Sequence, residues 1–266
     1  GSPNAGFVLV NALVLVAALS AAAAVLLLRA EGGRVRFEAM QEADALAHAL
    51  EAFEAFGRVV LDSDLRDGPV DTAQDDWARS VVEVALERGR VSGSLRDEQA
   101  LFNLNWLSNE SDTLAKEGWP EFLRRIGFAP QKGDAIAAYV SPQGPTNGAA
   151  FAGLTPPIAP LGGSIVIIDQ LASLPELTPE DLDLLRTHAT ALPGGSRINI
   201  NTANAAVLIA MLPQLSVARV DTILRRRQRE PYAEISEFFD EMGLSIDHEN
   251  PEGVDEARYS VGSDWF

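Results

Sequence analysis

The chain has 266 residues, no Cys and a formal net charge of −17. Arg29, Arg34 and Arg36 against Glu31 leave the first 36 residues at +2, so the remainder stands at −19. A body that acidic repels phosphate backbones, and a chain without Cys has no disulfides, thiol nucleophiles or thiolate metal sites. The 47% hydrophobic content excludes a disordered composition.

Residues 7–28 (FVLVNALVLVAALSAAAAVLLL) carry no charge, and Asn11 and Ser20 are their only polar side chains. As a helix the run spans about 33 Å, matching a hydrocarbon core of about 30 Å. A signal-peptide core is shorter, about 7–15 residues, and ends at small residues. This run ends in Leu26-Leu27-Leu28-Arg29, so the segment is predicted to be a membrane helix. Arg29, Arg34 and Arg36 would place the following side in the cytoplasm by the positive-inside rule. The sequence starts at Gly1 rather than Met, so charge alone does not fix the orientation.

Beyond a Gly32-Gly33 interruption, Met40, Ala43, Leu46, Ala47, Leu50, Phe53 and Val60 recur on one side of a helix. Glu38, Asp44, His48 and Glu51 lie mostly off that side, Glu42 and Glu54 intrude on it, and Phe37 and Phe56 fall outside it. The stripe predicts a continuation over 29–62 that seats a sheet of the body. The stretch Asp62-Ser63-Asp64-Leu65-Arg66-Asp67-Gly68 has a partial EF-hand spacing, but its twelfth position is Ala73 instead of a bidentate Glu. A second calcium candidate is the acidic run Asp247, Glu249, Glu252, Asp255 and Glu256; solvated acidic loops are far commoner than calcium sites.

Further on, 81–86 reads as a helix end and 89–95 as a strand with alternating side chains. Residues 111–117 and 120–126 read as two short helices, the second opened by Pro120 and burying Phe122, Leu123 and Ile126. Residues 141–164, with five Pro and five Gly, read as a long irregular loop, and 165–174 as a short apolar stretch. Thr178-Pro179-Glu180-Asp181 is a helix start, since Thr caps, Pro suits the first turn and the acids favour the dipole. Asn201 and Thr202 open a helix to about Met211, Ser216 caps another to about Arg227, Pro231-Tyr232 breaks it, and 235–242 forms one more. Residues 199–239 also read as a helix-hairpin-helix unit, with Val207, Leu208 and Met211 facing Ala218, Val220 and Ile223. Its hairpin, Leu212 to Val217, lacks the Gly that lets such units present backbone N–H groups to phosphate. The run Arg225-Arg226-Arg227-Gln228-Arg229 at a helix C-terminus is read as complementing the dipole and pairing with nearby acids. His48, His188 and His248 lack metal spacing, and there is no Gly-x-Ser-x-Gly elbow or P-loop, so nothing points to catalysis.

The opening, with Gly6 before Phe7 and a long apolar helix, resembles the type IV pilin and pseudopilin class. Four later blocks resemble, more narrowly, the K-type minor pseudopilins of type II secretion systems. They are Val70-Asp71 through Asp75-Asp76-Trp77-Ala78; Asp97 to Asn105, an acidic stretch closing on Asn-Leu-Asn; Leu192-Pro193 with Arg197-Ile198-Asn199-Ile200-Asn201-Thr202-Ala203; and Arg258 to Phe266. The chain departs from the family where a Trp-x-Asp-x-Asp stretch followed by Gly-x-Glu is usual. Residues 138–150 lack those carboxylates apart from Asp134 upstream, which puts in question the divalent-cation role attached to them.

The resemblance implies an α+β fold: a pilin-like long N-terminal helix with a small antiparallel sheet, carrying a large α-helical insertion. Residues 1–6 would be a leader remnant, 7–28 the transmembrane helix and 29–62 its continuation. Residues 63–106 with 243–266 would form the sheet body, 107–196 a first helical (SAM-like) unit and 197–242 the helix-hairpin-helix-like unit. It implies cleavage by a prepilin peptidase between Gly6 and Phe7. Asn11 stands where most class members have a Glu that neutralises a neighbour's N-terminal amine, a departure that suits the filament tip. The implied partners are I-type and J-type minor pseudopilins, other pseudopilins and the inner membrane, with the body in the periplasm. No cofactor is implied beyond the calcium candidates. The rival reading is a membrane-anchored helix-hairpin-helix protein binding DNA in an uptake machinery, which the charge of the body and the hairpin without Gly disfavour.

Overall fold

The computed structural model describes residues 4–79, 82–86, 89–145, 148–244 and 255–266. The chain divides into two compact units, 1–58 with 83–91, and 59–82 with 92–266.

The first helix, α1 (Asn4–Asp67), is continuous. Gly32 and Gly33 do not interrupt it, because flanking residues supply local ties: Arg36 donates to the Gly32 carbonyl at 3.3 Å, and Arg34 approaches Glu31 at 3.4 Å and Glu38 at 3.6 Å. Every side chain from Val10 to Leu28 is exposed, the reverse of a soluble core helix. The expected stripe is covered only in its later part. Met40, Leu46 and Leu50 are exposed, whereas Ala49, Phe53, Val60, Leu61 and Asp64, which share one helical face, are partly covered. The helix also absorbs the Asp62–Gly68 stretch, since it runs to Asp67, so that segment forms no EF-hand loop.

Next come α2 (Asp76–Arg79) and two paired strands, β1 (Val82–Leu86) and β2 (Gly89–Gly93). Where a helix end was expected over 81–86, the described residues Val82–Leu86 are therefore a strand hydrogen-bonded to β2. A two-residue connection between them permits only antiparallel pairing. The other two sheets differ from the expected antiparallel arrangement. β3 (Phe102–Asn103) lies parallel to β4 (Ala189–Thr190), and β5 (Ile198–Asn199) parallel to β6 (Tyr259–Ser260), each pair joined by chain long enough for a crossover.

The second unit is mainly helical. A single helix, α3 (Thr113–Ile126), replaces the two expected short ones, capped by Asp112 and ended by Gly127 at φ 73°. Pro120 is tolerated inside it because Pro120 and Lys116, whose carbonyl loses its donor, both face solvent. The buried face of α3, with Ala115, Gly118, Trp119, Phe122 and Leu123, outweighs that lost bond. Then follow α4 (Pro130–Val140), α5 (Gly148–Ala152) inside the expected loop, a 3-10 turn over Ile168–Ser173 and α6 (Pro179–His188). Three more helices complete the unit: α7 (Ala205–Met211), α8 (Val217–Arg227) and α9 (Ile235–Met242). The start signal for α4 is weak, Pro130 at its first position, because the cap residue Ala129 makes no side-chain bond. α6 and α8 begin at the expected Thr178 and Ser216 caps. α7 starts later than Asn201/Thr202, because Asn204 provides its cap and residues 199–203 are used in a tight turn. Across that hairpin Val220 and Ile223 are buried as expected, but Ala218 faces solvent.

The core centres on Phe102, Trp119 and Phe122, with ring centroids 4.6 Å apart for Phe102–Phe122 and 5.6 Å for Trp119–Phe122. Two glycines permit its close approaches. A Cβ on Gly118 would stand 2.4 Å from the Ala210 carbonyl oxygen of α7, and one on Gly133 would stand 2.1 Å from a Leu123 methyl.

Candidate functional site

The four sequence blocks converge in the second unit, and side-chain amides do much of the joining. The strands there are two residues long, so most backbone groups nearby lack a ladder partner and need another. Asn105 supplies one: its Nδ2 donates to the Ile165 and Leu192 carbonyls at 2.8 Å each, and its Oδ1 accepts from the Ile165 N–H at 2.8 Å. Asn201 repeats the device, donating to the Tyr232 carbonyl at 3.0 Å and accepting from the Tyr232 N–H at 2.9 Å. Each amide thus forms with one residue the two bonds that a neighbouring strand would form.

Asn199 is fully buried at the centre. Its Nδ2 donates to the Asp71 carbonyl (3.1 Å), the Asp97 carboxylate (3.1 Å) and Ser263 Oγ (2.9 Å), while its Oδ1 accepts from the Asn201 N–H at 2.9 Å. Asp97 is also buried; it accepts from Ser263 Oγ at 2.6 Å, from the Gln99 N–H at 2.8 Å and from Thr202 Oγ1. Burial holds the Asp97 carboxyl above the usual carboxylate range, against the four hydrogen bonds that favour its charge. The Ser263 N–H donates to Asp71 Oδ2 at 2.7 Å, and Trp77 meets Phe266 edge-on at 4.8 Å. One residue set from each block therefore meets here, and its chemistry is structural: every donor and acceptor just named is used internally.

Beside this junction the carboxylates of Asp64, Asp71 and Asp75 lie within 4.8 Å of one another. Burial pushes the Asp71 carboxyl up to about 6, with the Asp64 and Asp97 charges adding to the rise and the Ser263 N–H opposing it. Asp75 is committed locally, accepting from the Thr72 N–H at 2.6 Å and Thr72 Oγ1 at 2.8 Å. Of the Asp62–Gly68 candidates only Asp64 joins the cluster, which makes the EF-hand pairing with Asp62 and Asp67 incorrect as geometry. In the second candidate run, Asp247, Glu249 and Glu252 lie outside the described residues. Asp255 there caps a 3-10 turn by accepting from the Ala257 N–H at 3.1 Å.

Two of the four arginines in the basic run at the end of α8 are engaged. Arg226 pairs with Glu237 and, at 2.9 Å, with Glu241, and lies 3.9 Å over the Tyr232 ring. Arg227 donates to the Ile200 carbonyl at 2.7 Å, and burial pushes its guanidinium down to about 10. A groove of about 650 Å³ in the same unit is lined by Arg96, Glu98, Ile167, Arg186, Leu192 and Trp265. Its cations are also engaged, Arg96 with Glu98 at 2.6 Å and Arg186 with Asp169 at 2.5 Å.

The remaining sequence candidates lie on α1. Gly6 and Phe7 fall in its opening turns, and Asn11 follows Phe7 by four residues on an exposed face. Among the described residues α1 is the one helix long and apolar enough to cross a membrane. Sequence reasoning named the blocks holding Asp71, Asp97, Asn199 and Ser263 without seeing that they meet. The available signal was the density of Asn and Asp flanked by apolar residues, which suits buried bonding as well as surface.

Residues 198–261 match the family model described as Type II secretion system (T2SS), protein K. A protein of Aeromonas hydrophila named Type II secretion system protein K is 29% identical over 217 residues, 71% of this chain and 65% of its own length. One of the same name from Pseudomonas aeruginosa is 27% identical over 254 residues, 88% of this chain and 75% of its own. This chain therefore spans just under two thirds of the Aeromonas protein. Among solved structures, a chain of the GspK-GspI-GspJ complex from the enterotoxigenic Escherichia coli type 2 secretion system superposes with a TM-score of 0.65 at 18% identity. That alignment covers 86% of this chain and 85% of that one, which establishes the shared α+β fold. The proteins named in these matches are of the kind that the sequence resembles.

Proposed function

We propose that this protein, related in sequence and fold to protein K of the type II secretion system, is a minor pseudopilin. The carrying observation is that one chain combines a body of that family's fold with a helix whose side chains from Val10 to Leu28 all face outward. Outward apolar side chains suit lipid, and equally suit the helices of neighbouring subunits once a filament assembles. On this reading α1 holds the protein in the inner membrane as a single pass, with the body in the periplasm. Its partners are the I-type and J-type minor pseudopilins, a choice supported by the composition of the complex that contains the structural neighbour. Its work is assembly, without turnover: it caps or initiates the short filament that exports folded proteins.

The site residues belong to the same proposal. A prepilin peptidase would cut between Gly6 and Phe7. Asn11, a dipole without charge, would leave a neighbour's ammonium uncompensated in the apolar filament core, so the subunit suits the tip. The sheet body of 63–106 with 243–266 and the helical units of 107–196 and 197–242 would be tied together by the β3–β4 and β5–β6 pairs. Co-expression of the full chain with the I- and J-type pseudopilins of the same organism, followed by size exclusion with light scattering in detergent, tests the reading. A 1:1:1 complex is expected; three separate species at tens of micromolar would overturn it.

A further inference from the structure

The structure carries a second, unassigned feature on α1 just beyond its apolar run. Val25, Leu28, Arg29, Gly32, Gly33 and Arg36 line one shallow notch of about 620 Å³. Their spacing places them on a single helical face. The notch exists because two consecutive residues lack a side chain: a Cβ on Gly33 would meet nothing within 4 Å. Its two ends differ in chemistry, with Val25 and Leu28 apolar and Arg29 and Arg36 cationic. We propose that this notch binds the phosphate of an anionic phospholipid, its acyl chain lying along Val25 and Leu28.

Charge and depth both select that occupant. Arg34, on another face, is engaged by Glu31 and Glu38, whereas Arg29 and Arg36 have no carboxylate partner among the described residues. Arg36 folds back one turn, its Nε 3.3 Å from the Gly32 carbonyl, which brings its guanidinium toward the level of the glycines. Gly32 lies about 6 Å along the axis beyond Leu28. The polar zone of a bilayer leaflet is about 5–8 Å deep, so both guanidiniums reach the phosphate layer when residues 7–28 fill the hydrocarbon. A lipid phosphate there supplies Arg29 and Arg36 with the counter-charge that they do not receive from a carboxylate among the described residues. It also accounts for arginines on the side that the positive-inside rule would leave poor in them, given the orientation proposed above.

The inference rests on the reading of 7–28 as membrane-spanning, and its test separates the two. The full chain is purified in detergent and offered equimolar phosphatidylglycerol and phosphatidylcholine in mixed micelles, and bound lipid is counted by native mass spectrometry. A preference of about tenfold for phosphatidylglycerol is expected, from two basic groups near a phosphate. The double variant Arg29→Gln/Arg36→Gln should abolish it, and Gly33→Leu, which fills the notch at constant charge, should weaken it several-fold. Arg34→Gln should leave it intact. Equal binding of the two lipids, or an Arg34→Gln loss as large as that of the double variant, would overturn the site in favour of diffuse charge. Extraction of the chain from membranes by alkaline carbonate would overturn the membrane-spanning reading, and the lipid site with it.

Discussion

The two ends of this molecule invert each other's chemistry. From Val10 to Leu28 the helix turns its apolar side chains outward, while around Asn199 the body turns amides and carboxylates inward. The difference follows from where each region finds backbone hydrogen bonds. A helix satisfies its own N–H and C=O groups, so its side chains are free to match an apolar solvent. The body has β3 to β6 only two residues long and many irregular segments, so side chains must supply what ladders do not. Asparagine, with a donor and an acceptor set like a peptide group, fills that role at positions 105, 199 and 201.

The same residue type should therefore behave oppositely in the two regions. Asn201→Ala leaves both the N–H and the C=O of Tyr232 unpaired in a buried place, at an expected cost of about 3 kcal/mol. Asn11→Ala, on an exposed face of α1, should move the unfolding of the body by less than about 0.5 kcal/mol. Urea unfolding of the full chain in detergent, followed by tryptophan fluorescence, reads both. Equal effects would break the contrast.

Glycines sharpen it next. Gly118→Ala drives a methyl to 2.4 Å from the Ala210 carbonyl oxygen, a backbone atom held by α7, and should destabilise the body by about 2 kcal/mol. Gly33→Ala meets open space in α1 and should instead add about 0.5–1 kcal/mol of helix stability. Thermal melts by circular dichroism would show opposite signs.

The last effect concerns charge. The Asp71 carboxyl titrates at about 6 in the folded body, against 3.8 for the same group free in water, so the folded state holds the proton more tightly. The associated stability is fully present below about pH 4 and is lost as pH rises through about 6. Asp71 is about half-buried, so after solvent screening the gain on acidification is about 1 kcal/mol rather than the full shift. Asp71→Asn should flatten this part of the stability profile between pH 4 and 7 while retaining an acceptor for the Ser263 N–H. An unchanged slope would remove the carboxylate cluster as its cause.

What the sequence made legible was local. Thr178 and Ser216 are punctuation within one turn of the helices they open, and α6 and α8 follow them. The apolar run was equally plain, because its signal is length and composition. α4 was missed because Ala129 carries no capping group and Gly133 weakens the helical pattern; its place is fixed by Leu123 and by Trp119, whose indole donates to the Gly133 carbonyl at 3.2 Å. The partial EF-hand spacing at Asp62, already weakened by Ala73 at its twelfth position, has no meaning outside a loop, and those residues continue α1. The polar junction was visible as four blocks, but the contact between Asp71 and Ser263 depends on tertiary pairing that no window of sequence contains. Gly6, Phe7 and Asn11 follow from resemblance alone, since the chemistry proposed for them would involve an enzyme and neighbours outside the chain.

The Ser263–Asp71 bond closes a span of 192 residues, and Ser263 also joins Asp97 across 166. A chain delivered N-terminus first, by a ribosome or a translocation channel, leaves Asp71, Asp97 and Asn199 without that partner until position 263 emerges. Closing so long a loop is entropically slow and is rewarded only at the end. The body's centre is thus completed only once β6 and Ser263 are in place.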